Sequence, residues 1–353
     1  MSTSARLPVQ NSERLWAIGF GLFLGLAILK FGNPVVLEAR IQPPQSFAEV
    51  LHQPWPLRGA FVGFALIAAL GLPWLGRRLP DQLRRTSKYL WVPLALWGAW
   101  QTIAASRSVD GSLTSLTLFQ FAGILLAYAY GLTLLSDRRI LAWSVLGVLL
   151  GLCLCLMRAN TQRWVEFPSD RAMLLEGERT GWTNFPAAAL ESMKVDGLII
   201  HTNGVDVANP VILSKLQRGR VHGTLVYPNA LAGAILLVLP VGLYLVWTVT
   251  REQRPLIRWA AFGLLAYLGG SALLWSGSKS GWLIALAMGV TGLMRLNVSR
   301  RFKVGLLVLV VGAGLLVFGL RFQGYFAAGA TSVEARFDYW RAAVQIAVAN
   351  PGT

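Results

Sequence analysis

Apolar residues along this chain gather into runs close to the roughly 20 residues that a bilayer core demands, and the runs recur along its whole length. They cover roughly 15–37, 59–76, 89–105, 113–135, 140–157, 224–249, 259–275, 281–294 and 304–320, the eighth being short enough to tilt or re-enter. The pattern predicts an all-α fold, a polytopic transmembrane helical bundle of about nine spans. Two polar intervals are long, one from Arg158 to about Gly223 and one from Arg321 to the last residue. The second has its own local logic. Thr331 followed by Glu334 fits a capping box, and the helix it opens is expected to run to about Ala349, where Asn350-Pro351-Gly352 stops it. Val333, Phe337, Trp340 and Val344 recur at helical spacing, which predicts an amphipathic C-terminal helix lying on the membrane surface.

Composition strengthens the membrane reading. The 353 residues are 55% hydrophobic with a mean hydropathy of +0.54, more apolar content than a soluble core of that size uses. The formal charge of +16 would suggest nucleic acid in a soluble protein, but its distribution argues against that partner. With the N-terminus cytoplasmic, the inner segments carry Arg6 and Arg14; Arg77, Arg78, Arg84, Arg85 and Lys88; Arg138 and Arg139; Arg251, Arg254 and Arg258; and Arg295, Arg300, Arg301 and Lys303. The short outer loops hold Arg40, Arg58, Arg107 and Lys279, so the count is sixteen against four. That is a positive-inside bias. Trp16, Trp74, Trp91, Trp164, Trp247, Trp259 and Trp282 sit near span ends, as an interfacial belt requires. The expected organisation is one membrane domain over 1–353 in a bacterial inner membrane, with 158–223 as a large periplasmic loop and 321–353 as the start of a second periplasmic segment.

Other features narrow the chemistry. Cys153 and Cys155 point to nearly opposite sides of a helix, which argues against a disulfide or a shared metal and for packing roles. His52, His201 and His222 read as interfacial or loop residues. The first run follows Arg6 and Arg14 without a convincing cleavage site and reads as a retained span, a cleaved signal peptide being the alternative. Lys30 is nearly alone as an ionisable residue inside a span, which lowers a coupled-transporter reading.

Polar residues concentrate at the outer ends of spans instead, in three groups. The first is Arg220-Val-His-Gly-Thr-Leu-Val-Tyr-Pro-Asn229, including Tyr227; the second is Ser276-Gly-Ser278-Lys279-Ser280-Gly281; the third joins Arg336, Trp340 and Arg341 on the terminal helix. All three bring cations to one membrane surface, which suits a lipid pyrophosphate. Each also has a bland reading: a snorkelling Arg220, small residues around Lys279 that serve only helix packing, and an Arg341 that pairs with Asp338.

In this order the groups resemble the O-antigen ligase and polymerase family of bacterial envelope glycosyltransferases. The resembling stretches are Arg220 to Asn229, Trp275-Ser-Gly-Ser-Lys-Ser-Gly-Trp282, and Arg336-Phe-Asp-Tyr-Trp340 running into Asn350-Pro351. They cover the chain from about residue 215 onward, while the first half matches only as a generic membrane bundle. The sequence departs from the family twice. Lys279 stands where an arginine is usual, keeping the charge but losing the bidentate fork. The family's Asn-Pro motif also leads into a glycine-rich continuation, a histidine-bearing outer loop and further spans, so the resemblance implies a chain cut inside that motif.

The resemblance implies transfer of a glycan from a polyprenyl-pyrophosphate donor to an acceptor hydroxyl, on a lipid or glycan, at the periplasmic face. Arg220, Lys279 and Arg336 would hold the pyrophosphate, with Tyr227, Asn229, Ser278, Ser280, Trp340 and Arg341 contacting substrate or orienting the cations. No Asp-x-Asp pair occurs in the outer segments, so fixed cations rather than a metal are the expected means of stabilising the leaving group, with no cofactor. The general base is unassigned, His222 being a local candidate. Polysaccharide polymerase and protein O-oligosaccharyltransferase fit the same residues. A non-catalytic transporter or accessory subunit, or an inactive fragment, is the alternative of another class.

Overall fold

A computed structural model describes residues 11–31, 43–52, 55–202, 204–225, 227–327 and 331–349. Helices dominate: α1 (Asn11–Phe31), α2 (Phe47–His52), α3 (Leu57–Arg85), α4 (Lys88–Ala105), α5 (Gly111–Thr133), α6 (Arg138–Thr161), α7 (Phe167–Arg179), α8 (Ala187–Val195), α9 (Pro210–Arg218), α10 (Pro228–Val249), α11 (Pro255–Ser276), α12 (Lys279–Met294), α13 (Arg300–Ala327) and α14 (Thr331–Ala349). A helix lies over each of the nine expected ranges. Six among the described residues are long and apolar enough to cross a membrane: Leu57–Arg85, Gly111–Thr133, Arg138–Arg179, Pro228–Val249, Pro255–Ser276 and Arg300–Gly324. This is the pattern of a multi-pass membrane protein. The expected continuation of the first span to Leu37, the Thr331 cap and the Asn350-Pro351 stop lie outside the described residues, as does the side chain of Lys30.

The chain divides into two compact units. The first holds residues 1–45, 55–151 and 279–353, and the second holds 46–54 and 152–278.

In the first unit Trp16 and Phe20 of α1, Phe64 of α3 and Tyr130 of α5 form one aromatic core, with the Trp16 and Phe20 rings stacked at 4.8 Å. Its polar atoms are satisfied: the Trp16 indole donates to Ile67 O at 3.0 Å and the Tyr130 hydroxyl donates to Ala68 O. An ion pair of 2.7 Å joins the buried Glu13 to Arg78, bringing the start of α1 and the basic second half of α3 to the same end. α1 and α6 approach more closely than side chains allow. A Cβ on Gly21 would lie 1.9 Å from Ser144 O, one on Gly147 would lie 2.4 Å from Leu22 N, and one on Gly25 would lie 3.1 Å from the Gly151 Cα. Gly21-xxx-Gly25 thus faces Gly147-xxx-Gly151, a close crossing of the small-xxx-small kind, and Ser144 Oγ donates across it to Ala17 O at 3.0 Å.

The second unit pairs α10 with α11 and carries the segment 158–223, which is folded. Leu174, Trp182, Met193, Ile199 and Ala208 make its core. A two-stranded antiparallel hairpin, β1 (Ile199–Thr202) with β2 (Val205–Ala208), departs from the expected all-α content. Trp182 takes a left-handed conformation, φ 64°, and donates its indole N–H to Asp206 O at 2.8 Å. Gly177 leaves the room its ring needs, since a Cβ there would lie 2.2 Å from it.

The fifth span does not stop near residue 157. The helix runs on through a π-helical turn at Gln162–Glu166 into α7, making one element of 42 residues. Pro168 lies two residues past the turn, and a π turn takes up the register change that a proline inside a helix demands. No glycine interrupts the helix between Gly151 and Gly177, and the chain breaks from it at the left-handed Gly181.

Candidate anion-binding site

The site grows from the segment between α9 and α10. α9 ends at Gly219, whose left-handed conformation (φ 58°) closes the helix, and Arg220 follows. The Arg220 backbone leads into Val221, whose N–H donates to Trp275 O at 3.2 Å at the end of α11. The Arg220 side chain runs to the same end. Its Nε donates to Ser276 O at 2.8 Å and its Nη2 donates to Asn229 Oδ1 at 3.1 Å. Gly277 lies beneath it in a left-handed conformation (φ 59°), and a Cβ there would lie 3.1 Å from Arg220 Nε.

Both acceptors are neutral, so the guanidinium is positioned without being neutralised. Burial, and then the charge of Arg218, push Arg220 below the usual arginine range, yet it stays charged at any physiological pH. A half-buried cation held by neutral acceptors is suited to receive an anion.

A second set of contacts fixes the loop from below. Gln162 is buried and uses its whole amide: Oε1 accepts from His222 N at 3.1 Å and Gly223 N at 2.9 Å, and Nε2 donates to Gly223 O at 2.9 Å. Gly223 is left-handed (φ 63°) and sits on Cys155, whose sulfur would lie 2.5 Å from a Cβ. His222 Nδ1 donates to Leu225 O, and burial pushes His222 below its ordinary pKa, with the Arg158 charge adding to the effect. Such a histidine is a neutral loop anchor, and its Nδ1 proton is committed to a carbonyl. Trp164 meets Trp275 edge-on at 5.4 Å.

The structure therefore joins Arg220, Asn229 and the Ser276–Ser278 turn, with Ser278 N donating to Ser276 Oγ at 3.2 Å and both serines buried. Tyr227 precedes α10 as its cap residue and is exposed. Lys279 and Ser280 open α12 and belong, with Arg336, Trp340 and Arg341, to the first unit. There the Lys279 ammonium lies 5.5 Å from the Phe322 ring centre. On α14 the helix bounds agree with the expected Thr331 to Ala349. Arg336 is exposed, Arg341 reaches Asp338 at 3.5 Å, and Phe337 and Trp340 meet edge-on at 5.5 Å. Among the described residues no group of three His, Cys, Asp or Glu is placed to hold a metal ion.

Sequence reasoning missed Gln162. A glutamine at the end of an apolar run is an ordinary interfacial residue by its local pattern, and its partners lie 60 residues on. Compared with known protein families, with characterised proteins and with solved structures, the chain finds no match.

Proposed function

We propose that this chain is a nine-span bacterial inner-membrane protein with a cytoplasmic N-terminus, which binds a polyprenyl-pyrophosphate-linked glycan and transfers the glycan to an acceptor hydroxyl on the periplasmic side. The observation that carries this reading is the Arg220 guanidinium, half-buried at the end of α11, ordered by Ser276 and Asn229, and without a carboxylate partner among the described residues. α11 supplies the membrane context. Its 22 residues span about 33 Å, enough for a bilayer core. Trp259 meets Trp247 edge-on, with Arg258 over the Trp247 ring, and marks one end, and Trp275 marks the end where Arg220 sits.

In the reaction the acceptor oxygen bonds to the anomeric carbon as the bond to the pyrophosphate oxygen breaks. The electron pair leaves on the lipid pyrophosphate, and the hydroxyl proton passes to a base. Charge grows on the leaving group, and a preorganised cation stabilises it where water is excluded. Arg220 does this directly, with Asn229 holding its fork; the resemblance of their motifs gives Lys279 and Arg336 the same kind of role. Replacing Arg220 or Arg336 with alanine should abolish glycan transfer in cells while membrane expression persists. Transfer that survives in Arg220→Ala would remove the reading. Loss of long glycan chains, against loss of their attachment only, separates polymerase from ligase.

A further inference from the structure

The π turn at 162–166 is followed by a proline, but its position has a consequence for charge. It carries Arg163 to the segment that bears Arg220. The Arg163 guanidinium lies so close to Gly219 that a Cβ on that residue would sit 2.1 Å from its Nη1. A side chain at position 219 would push the guanidinium out of this approach, and the left-handed φ of 58° independently favours glycine at the same position. Arg218 stands on the other side of Gly219 and is near enough to act on the charge of Arg220. The Arg163 guanidinium thus lies against the glycine that separates Arg218 from Arg220.

Among the described residues no carboxylate pairs with Arg163, Arg218 or Arg220. This is not for lack of acids on the same elements. Glu166, three residues from Arg163, is taken by Arg158, and Glu176 is taken by Arg179. Arginines gathered without counter-charge repel one another and are stabilised when an anion with several oxygens bridges them. A diphosphate offers those oxygens on two phosphorus centres, more than one guanidinium fork can satisfy.

We infer that Arg163 is a second anion ligand of the Arg220 site, set in place by the π turn and Gly219, and that with Arg218 at the rim it takes the second phosphate of a diphosphate group. The inference rests on the proposed function for its choice of ligand but on the placement of Arg163 for its content. The diphosphate has two possible sources, a lipid-linked one and a free one.

The full chain in phosphatidylcholine nanodiscs, titrated calorimetrically with inorganic pyrophosphate and with farnesyl diphosphate, tests it. Arg163→Gln and Arg220→Gln are each expected to weaken binding by about tenfold or more, the loss of one charge-assisted contact, while Arg171→Gln, at an exposed position of α7, stays near the unaltered protein. Arg163→Lys keeps the charge without the fork and should fall between, which preserves the test if Arg163→Gln does not fold. Tighter binding of farnesyl diphosphate assigns the lipid-linked source, and equal binding the free one; either supports the site. Wild-type affinity in Arg163→Gln, with Arg220→Gln weakened, overturns the role of Arg163 and leaves the proposed function standing. A lowered unfolding temperature with unchanged affinity makes Arg163 a cap for the α9 C-terminus and overturns it equally. No binding of either probe by the unaltered protein overturns both readings, and equal weakening by Arg171→Gln reduces the effect to general surface charge.

Discussion

Gly277 shows how much one residue decides here. Any side chain at this position meets two obstacles, a left-handed backbone that disfavours a Cβ by about 1–2 kcal/mol and the Arg220 Nε 3.1 Å away. Gly277→Ala should therefore lower stability by an amount of that order and displace Arg220, lowering glycan transfer more than the stability loss explains; thermal unfolding beside cellular transfer checks both. Gln162 acts through hydrogen bonds alone. Gln162→Leu strands two N–H groups and one carbonyl in a buried place, at about 1–3 kcal/mol for each group left unpaired. Gln162→Glu keeps both acceptances and loses only the donation to Gly223, so its unfolding temperature should fall less than that of the leucine variant. His222 adds a pH dependence. Its folded pKa lies below the unfolded value of about 6.5, so the unfolded chain takes up the proton first. Its contribution is complete above about pH 6.5 and is lost as pH falls from there toward the folded value. The unfolding midpoint in detergent should drop between about pH 7.5 and 5.5, and His222→Gln should flatten that drop.

At the scale of elements, the α1–α6 crossing is held by absent side chains. Four glycines let the two backbones touch, and the packing gained this way substitutes for a hydrophobic drive that lipid does not provide between helices. Gly147→Val would place its branched Cβ within 2.5 Å of Leu22 N and Ile18 O, so no rotamer relieves it. The variant should lose the crossing, seen as a large fall in unfolding temperature, whereas Gly76→Ala, where a Cβ meets nothing within 4 Å, should leave it unchanged. α14 is the opposite case. Phe337, Trp340, Val344, Ile346 and Val348 are all more than half exposed, beside Arg336 and Arg341. Such a helix fits the plane of a bilayer surface, and Trp340 fluorescence in nanodiscs should be quenched by lipids brominated high on the acyl chain and little by aqueous iodide.

For the whole molecule, the sequence was most informative where one signal repeats. Apolar runs close to a bilayer's thickness recur along the chain, so the helical membrane architecture was legible without any long-range contact. The helix α14 was legible for the same local reason, apolar residues recurring at helical spacing. Of the candidate site, the motif from Arg220 to Asn229 was legible because the partners are nine residues apart, whereas Gln162 and Arg163 were not. What places them is a π turn, which no residue pattern announces, and contacts reaching 56 to 61 residues along the chain. The hairpin at 199–208 escaped for a related reason, since four-residue strands are too short to show a period. The sequence by itself thus determined the solvent this protein lives in, because hydropathy is a sum over local residues. Only the tertiary structure decided which glycines are crossings, which arginines lack a counter-charge among the described residues and which glutamine holds the loop, because each of those is a property of pairs that the chain brings together only on folding.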